Sequence, residues 1–155
     1  MASKTRNLPG AGECKRGTQG HIGYLLRQAH GALRGALDAA LVEAGLTTPQ
    51  FLVLTLLDAY PGASGADIAR IAQLTPQTVN LIVRKLADGK LLGRNEHETH
   101  GRVLRLALTT AGRARLARCK LRAAAVEREL LSGVDAATEA KIRAWLVSVA
   151  TRVRS

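Results

Sequence analysis

The sequence predicts a mainly α fold of six helices with one small β-hairpin. Apolar residues recur at spacings of three and four through most of the chain, as they do on one face of a helix. Only the stretch 104–108 alternates with period two, which is typical of a half-buried strand. Two short helical patterns meet at a tight turn just before this hairpin. That order predicts a winged helix-turn-helix lobe with longer helices on both sides.

The first two helices are predicted from their apolar stripes and their ends. The first begins near His21 and stops at Gly45, and its stripe consists of Ile22, Leu25, Leu26, Ala29, Leu33, Ala36, Leu37, Ala40 and Leu41. The second has Thr48 as its predicted N-cap and Pro49 in its first turn. Because residues 51–60 are apolar nearly all round, this helix is expected to be buried centrally. Residues 1–19 show no periodicity and predict a basic flexible tail.

The helix-turn-helix is predicted from two start signals. Ser64 and Asp67 form a capping pair for the third helix, whose inner face is Ile68, Ala69, Ile71 and Ala72. Thr75 and Pro76 start the fourth helix, which ends at Gly89 and has an inward stripe of Val79, Ile82, Val83 and Leu86. A strand at 91–95 then pairs with 104–108, and residues 96–101 form the tip of the hairpin.

The fifth and sixth helices predict self-association. The fifth follows Thr109 or Thr110 and has the spacing of helix packed on helix at Leu116, Cys119, Ala123, Val126 and Leu130. Asp135 caps the sixth, whose apolar residues are Ile142, Trp145, Leu146, Val149 and Val153. These stripes exceed what the winged lobe can cover. We therefore expect a homodimer, with an intramolecular bundle as the alternative. The predicted organisation is a single domain at 20–153. Within it, dimerisation helices at 20–45 and 110–153 flank a winged helix-turn-helix at 46–109.

The amino-acid composition favours some classes of binding partner over others. The 155 residues include 23 Lys and Arg against 12 Asp and Glu, a net charge of +11 that favours nucleic acid over an anionic membrane surface. Aromatic residues make up only 3%, which argues against a single-strand binder that stacks bases. No apolar run reaches the roughly 18 residues of a membrane span. With two cysteines and no apolar signal segment, the sequence predicts a cytoplasmic protein. It shows no phosphate loop, nucleophile motif or metal-ligand set, so neither an enzyme nor a cofactor is expected.

From Leu46 to Gly112 the sequence resembles the MarR (multiple-antibiotic-resistance regulator) family of bacterial winged-helix transcription factors. The elements that carry the resemblance, in order, are Leu46-Thr47, Asp67-Ile68-Ala69, Thr75-Pro76-Gln77-Thr78-Val79, Leu86 to Leu92, Arg94, Arg102, Leu108-Thr109 and Gly112. The resemblance implies a homodimer built from the terminal helices, with two lobes bound to a pseudo-palindromic operator in double-stranded DNA. It also implies that a small molecule, an oxidant or a metal often releases the DNA.

The chain departs from the family pattern at two positions. His100 stands where the family usually has an acidic residue two positions before the wing arginine, so the wing geometry is less well defined by the resemblance than the fold. Gln73 stands where the turn often has Gly, and a left-handed backbone there costs Gln roughly 1 kcal/mol.

The predicted DNA contacts fall into two groups. Glutamine and asparagine can pair with adenine, arginine with guanine, and leucine can cover a thymine methyl group. On the outward face of the fourth helix, the expected base readers and their flank are Gln77, Thr78, Asn80, Leu81 and Arg84. The expected phosphate, minor-groove or DNA-proximal residues at helix starts and in the wing are Ser64, Thr75, Arg94, His97, His100 and Arg102. The alternative is that the outward face of the fourth helix is an ordinary solvated surface and does not read bases.

The sequence contains three candidate sensors of a signal. Cys14 is flanked by Lys15 and Arg16, which favours thiol oxidation, although an incidental tail thiol is the alternative. His97 and His100 have a metal-like spacing, but no third ligand is evident and no metal site is predicted. A small-molecule effector pocket between the dimer helices and the DNA lobe would be lined by Tyr24, Arg27, His30 and Phe51, unless Tyr24 and Phe51 are core residues.

Two functions follow from these patterns. The first is a dimeric, sequence-specific DNA-binding regulator, more often a repressor, that responds to a ligand or signal. The second is a sequence-tolerant nucleoid or architectural protein, favoured by the net charge of +11 and the basic tail. The ratio of specific to non-specific DNA affinity distinguishes them.

Overall fold

The computed structural model describes residues 9–95 and 105–152, with the side chains of Arg94, Asn95 and Arg105 left out of that description. Within these residues, six α-helices and one hairpin occur in the predicted order. Their bounds are α1 Ile22–Val42, α2 Thr48–Ala59, α3 Gly65–Ala72, α4 Pro76–Asp88, β1 Leu92–Asn95, β2 Arg105–Leu108, α5 Thr110–Leu130 and α6 Ala136–Arg152. The predicted fold class is confirmed.

The hydrophobic core is centred on α2, as the apolar sequence of that helix predicts. Val53, Leu54 and Leu57 of α2 are buried. Around them the core also takes in the inner faces of α3 and α4, the hairpin, the end of α1 at Leu41 and the first half of α5 at Cys119. The buried residues of the described chain include no polar or charged side chain. The winged lobe is therefore held together mainly by apolar burial.

Side-chain caps set the starts of the helices. Thr47, rather than the predicted Thr48, caps α2, because its hydroxyl accepts from the Gln50 amide while the Gln50 side chain accepts from the Thr47 amide. Ser64 caps α3 and Thr75 caps α4, as predicted. The predicted inner face of α3 is wrong at one position, since Ile71 is 41% exposed while Ile68 and Ala69 are buried.

The turn between α3 and α4 has a left-handed residue. Gln73 has φ 55° and ψ 40°, the conformation that the resemblance indicated and that glycine adopts most readily. The Leu74 amide donates to the Ala69 carbonyl at 2.9 Å, which closes the end of α3. At the end of α4 the left-handed residue is Lys90, with φ 56°, and not the preceding Gly89.

The base of the wing is anchored to the start of α5. β1 and β2 are antiparallel, with Leu92 opposite Leu108. The Thr109 hydroxyl donates to the Lys90 carbonyl at 2.8 Å and accepts from the Gly112 amide at 2.9 Å. A Cβ at position 112 would collide with the Leu91 carbonyl group, so glycine permits the close approach of α5 to the hairpin.

Residues 9–20, in the second half of the predicted tail, fold back on α1. They contain one 3-10 turn at Cys14–Arg16. The Arg16 Nε donates to the Gln28 side chain at 3.2 Å, and the Gln28 amide donates to the Arg16 carbonyl at 3.4 Å. The flexibility predicted for residues 1–19 stays a prediction, and residues 1–8 lie outside the described range. None of the described helices is long and apolar enough to cross a membrane.

Candidate nucleic-acid interface and effector cavity

The two faces of α4 differ sharply in burial. Val79, Ile82, Val83 and Leu86 are buried, as their spacing predicts. The opposite face is exposed, and it consists of Gln77, Thr78, Asn80, Leu81 and Arg84. Leu81 is 56% exposed, so its side chain is available for contact with a thymine methyl group. The buried stripe packs α4 against the core, and the helix presents amide, apolar and guanidinium groups on its solvent-exposed face.

The first turn of α4 is organised by two threonines. The Thr75 hydroxyl accepts from the Thr78 amide at 3.2 Å, and the two hydroxyl oxygens are 2.9 Å apart. Both residues are exposed. The free amides of a helix start attract anions, and these hydroxyls lie beside them. This end of α4 is therefore suited to a DNA phosphate.

Ser64 is less available for phosphate than the sequence predicts. Its hydroxyl donates to the Asp67 carboxylate at 2.7 Å and its amide donates to the same oxygen at 3.1 Å. These two hydrogen bonds lower the pKa of Asp67, which is therefore ionised at neutral pH. A phosphate at Ser64 would face that negative charge, so the geometry favours capping as the role of this serine.

The remaining predicted DNA residues lie in the wing. Arg94 is on β1 opposite Leu106 in the strand register, and its side chain is not described. His97, His100 and Arg102 lie outside the described residues. The predicted contacts of the wing therefore stay predictions.

A cavity of about 480 Å³ lies between the long first helix and the helix-turn-helix. Three segments line it: α1, the start of α2, and the α3–α4 turn. Their lining residues are His30, Leu33, Arg34, Leu37, Thr48, Pro49, Leu52, Ala72, Gln73 and Leu74. The cavity is thus in the predicted region, but most of its lining residues were not predicted.

Of the predicted pocket residues, only His30 lines this cavity. Phe51 packs against the hydrophobic core, as the alternative interpretation had it. Tyr24 lines a smaller cavity of about 290 Å³ with Lys15 and Arg16 from the N-terminal segment. Arg27 is exposed and lines neither of these two cavities. The structure therefore does not bring the four predicted residues together.

The larger cavity combines apolar walls with a few polar groups. The Thr48 hydroxyl oxygen is buried and has no hydrogen-bond partner among the described residues. A buried hydroxyl without a partner is costly, but this oxygen has almost no accessible surface, so a guest in the cavity does not reach it without a rearrangement. Arg34 provides a cation that is only loosely paired, because its Nε lies 3.8 Å from Asp38 and its side chain is 68% exposed. Such a lining suits a small apolar molecule with an acidic group.

The two cysteines lie in different environments. Cys14 is exposed in the 3-10 turn. Cys119 is fully buried in the core, as expected, and burial raises the pKa of its thiol despite the nearby Arg115 and Arg118. Burial and a raised pKa both make Cys119 unreactive. The described residues contain no group of three or more His, Cys, Asp or Glu side chains that would hold a metal ion.

Comparison with known proteins identifies the family. The sequence profile described as the MarR family matches residues 44–103. The HTH-type transcriptional repressor Rv2887 of Mycobacterium tuberculosis is 36% identical over 125 residues, which cover 81% of this chain and 90% of the relative. The chain belongs to the MarR family.

Solved structures extend this match to the fold. The Mycobacterium tuberculosis MarR family protein Rv2887 in complex with DNA has a TM-score of 0.70 and 33% identity, covering 83% of this chain and 97% of that one. The same protein in complex with salicylic acid has a TM-score of 0.69 and 34% identity, covering 85% and 98%. The MarR-family chain is therefore similar along most of its length to a protein solved with DNA and with a small aromatic acid.

Proposed function

We propose that this MarR-family protein is a homodimeric transcriptional repressor that binds operator DNA through α4 and releases it when a small aromatic acid occupies the α1–α2 cavity. One observation carries the DNA-binding part. The exposed face of α4 holds Gln77, Asn80, Leu81 and Arg84, and the opposite face of the helix is buried. A related protein with this fold is solved in complex with DNA. To read bases in the major groove, a recognition helix needs polar side chains on its outward face and a packed core that holds the helix in position.

The dimer is inferred from uncovered apolar surface. None of the residues of α6 is buried in the single chain. Ile142, Trp145 and Leu146 are between 40% and 43% exposed, and Ile22 at the start of α1 is 63% exposed. A monomer seldom leaves so many large apolar side chains in water. A second copy of the chain covers them, and it places two α4 helices for the two halves of a pseudo-palindrome.

The effector class is inferred from the cavity and from a relative. The related repressor is solved with salicylic acid. In this chain, Leu33, Leu37 and Leu52 supply apolar walls for a ring, and Arg34 and His30 supply groups that bind a carboxylate. An aromatic carboxylate satisfies both features. We propose that the protein acts in the cytoplasm on double-stranded DNA and catalyses no reaction.

Selection of genomic DNA fragments on the purified protein tests this function. A specific repressor enriches a few fragments with two related half-sites, and it binds the best of them at least about a thousandfold more tightly than bulk DNA. Repeating the selection with sodium salicylate is expected to reduce the recovery of those fragments. If bulk DNA competes as well as the best fragment, the protein is instead the architectural binder that its charge also allows.

A further inference from the structure

The α3–α4 turn belongs to both the effector cavity and the DNA-reading unit. Ala72, Gln73 and Leu74 line the cavity, and Leu74 also packs against the core. Only Leu74 and Thr75 separate Gln73 from Pro76, the first residue of α4. A molecule in the cavity therefore touches the segment that sets the start of the recognition helix.

Gln73 is the strained member of this turn. Its backbone is left-handed, with φ 55°, and such a conformation is unfavourable for a residue with a Cβ. The turn is held in place by its hydrogen bonds, among them the Leu74 amide to the Ala69 carbonyl at 2.9 Å. Strain of this kind persists only where the surroundings enforce it. The left-handed backbone of Gln73 thus depends on these hydrogen bonds, and a displacement of Gln73 that disturbs them releases it.

The Gln73 side chain also differs chemically from the opposite wall of the cavity. The α1 wall offers Arg34, a cation, whereas Gln73 offers an amide that both donates and accepts hydrogen bonds. An aromatic acid whose carboxylate faces Arg34 would present its ring toward the turn.

We propose that Gln73 is the residue through which occupancy of the cavity weakens DNA binding, because its side chain contacts the guest and its left-handed backbone passes the displacement to α4. This proposal rests on the proposed function, since it concerns the same cavity. Gln73 is a coupling residue and need not contribute to DNA affinity in the empty protein. Glycine at this position would fit the backbone and remove the contact.

A first experiment fills the cavity with a side chain and therefore needs no effector. Leu52 lines the cavity from α2 and is 37% exposed, so Leu52→Trp extends a larger ring into the space. We expect Leu52→Trp to weaken binding to the selected operator about tenfold, within the usual range of coupling between sites. The double variant Leu52→Trp with Gln73→Gly is expected to bind within about twofold of the unmodified protein.

Two control variants separate coupling from simple damage. Leu52→Ala opens the cavity and is expected to leave operator affinity unchanged. Lys90→Gly relieves a second non-glycine residue of the winged lobe that has a left-handed backbone. Lys90 does not line the cavity, so this change is expected not to rescue Leu52→Trp. The proposal is overturned if Lys90→Gly rescues as well as Gln73→Gly, or if Leu52→Trp folds normally and binds the operator with full affinity.

A second experiment uses sodium salicylate and covers the case in which Leu52→Trp fails to fold. Calorimetry measures salicylate binding, and fluorescence anisotropy measures operator binding with and without it. Gln73→Gly is expected to bind salicylate and operator individually, while the loss of operator affinity caused by salicylate falls from about tenfold to below about twofold. Full release of DNA from Gln73→Gly by salicylate overturns the proposal. If salicylate binds neither protein, the effector class is wrong, and the Leu52→Trp cycle still decides the role of Gln73.

Discussion

Lys120 of α5 is ion-paired with Asp58 of α2, with its Nζ 2.6 Å from the carboxylate oxygen. The pair joins α5, a predicted dimerisation helix, to the central helix of the winged lobe. Both side chains are partly exposed, at 49% and 40%, so water screens the attraction strongly. The pair is therefore expected to contribute little to the stability of the fold.

A double-mutant cycle with Lys120→Met and Asp58→Asn measures this pair. We expect a coupling free energy of unfolding below about 1 kcal/mol at low salt. It should largely vanish at roughly 1 M NaCl, where the screening length is a few ångströms. Urea titrations of the four proteins at both salt concentrations provide the measurement. A coupling free energy that is larger or independent of salt would show that the pair is effectively desolvated.

Gly112 is expected to tolerate no side chain. A Cβ there meets the Leu91 carbonyl group, which is backbone and also accepts from the Thr109 amide at 3.1 Å. Gly112→Ala therefore has to separate α5 from the wing base, and we expect it to lower the free energy of unfolding by about 2–4 kcal/mol. Thermal melts followed by circular dichroism measure this. Gly31→Ala is the control, because a Cβ at that helical position meets nothing within 4 Å and raises helix propensity. Equal melting temperatures for Gly112→Ala and the unmodified protein would contradict the expectation.

The sequence was sufficient to predict the helices and the faces of α4, because local periodicity records which side of a helix is buried. Val79 and Leu86 are seven positions apart, or about two turns, and both are buried. The start of α2 was harder to predict, since Thr47 and Thr48 both carry a hydroxyl suited to capping. The choice depends on Gln50, which lies three residues after Thr47 and completes a reciprocal pair of hydrogen bonds with it.

The cavity was the least predictable feature, since three distant segments build it. Arg34 and Leu52 are ordinary helix residues in the sequence, and only tertiary packing brings them to one space with Gln73. The aromatic residues offered the obvious signal for a binding pocket, but Phe51 serves the core instead. One usable signal was present, namely the pair His30 and Arg34, which are four residues apart and thus on one face of α1.

The Ser64–Asp67 cap is expected to make stability dependent on acid pH. The pKa of Asp67 is lowered from 3.8 in the folded protein, chiefly by the hydrogen bonds from Ser64. A lowered folded pKa contributes stability above the unfolded pKa, and that contribution is lost as the pH falls through the folded value. Asp67→Asn should therefore destabilise the protein at pH 7 and flatten the loss of stability below about pH 4. Urea midpoints between neutral pH and pH 3 measure it, with Asp88→Asn at the C-terminal end of α4 as the control. Parallel pH profiles for Asp67→Asn and the unmodified protein would contradict this role.

Trp145 is expected to be essential for the dimer. It lies on α6, is 42% exposed in the single chain, and has Ile142 and Leu146 beside it on an apolar surface. Trp145→Glu would bury a charge against the partner, so we expect monomers in light scattering at micromolar concentration and a strong loss of operator affinity. Lys141→Glu, on the same helix, controls for the added negative charge. A dimer of unchanged stability in Trp145→Glu would place the interface elsewhere.

Arg84 is expected to read a base, whereas the adjacent Lys85 contributes only peripheral charge. Both are exposed on α4, but Arg84 shares its outward face with Gln77 and Leu81. An arginine that pairs with guanine contributes roughly 1–3 kcal/mol at one base pair, whereas a phosphate contact weakens binding to every sequence alike. Arg84→Ala should therefore weaken operator binding by that amount and relax the preference at one position in each half-site. Operator libraries titrated at several salt concentrations measure both effects for Arg84→Ala and Lys85→Ala. A uniform loss across the library, with a salt slope lower by about one, would instead assign Arg84 to a phosphate.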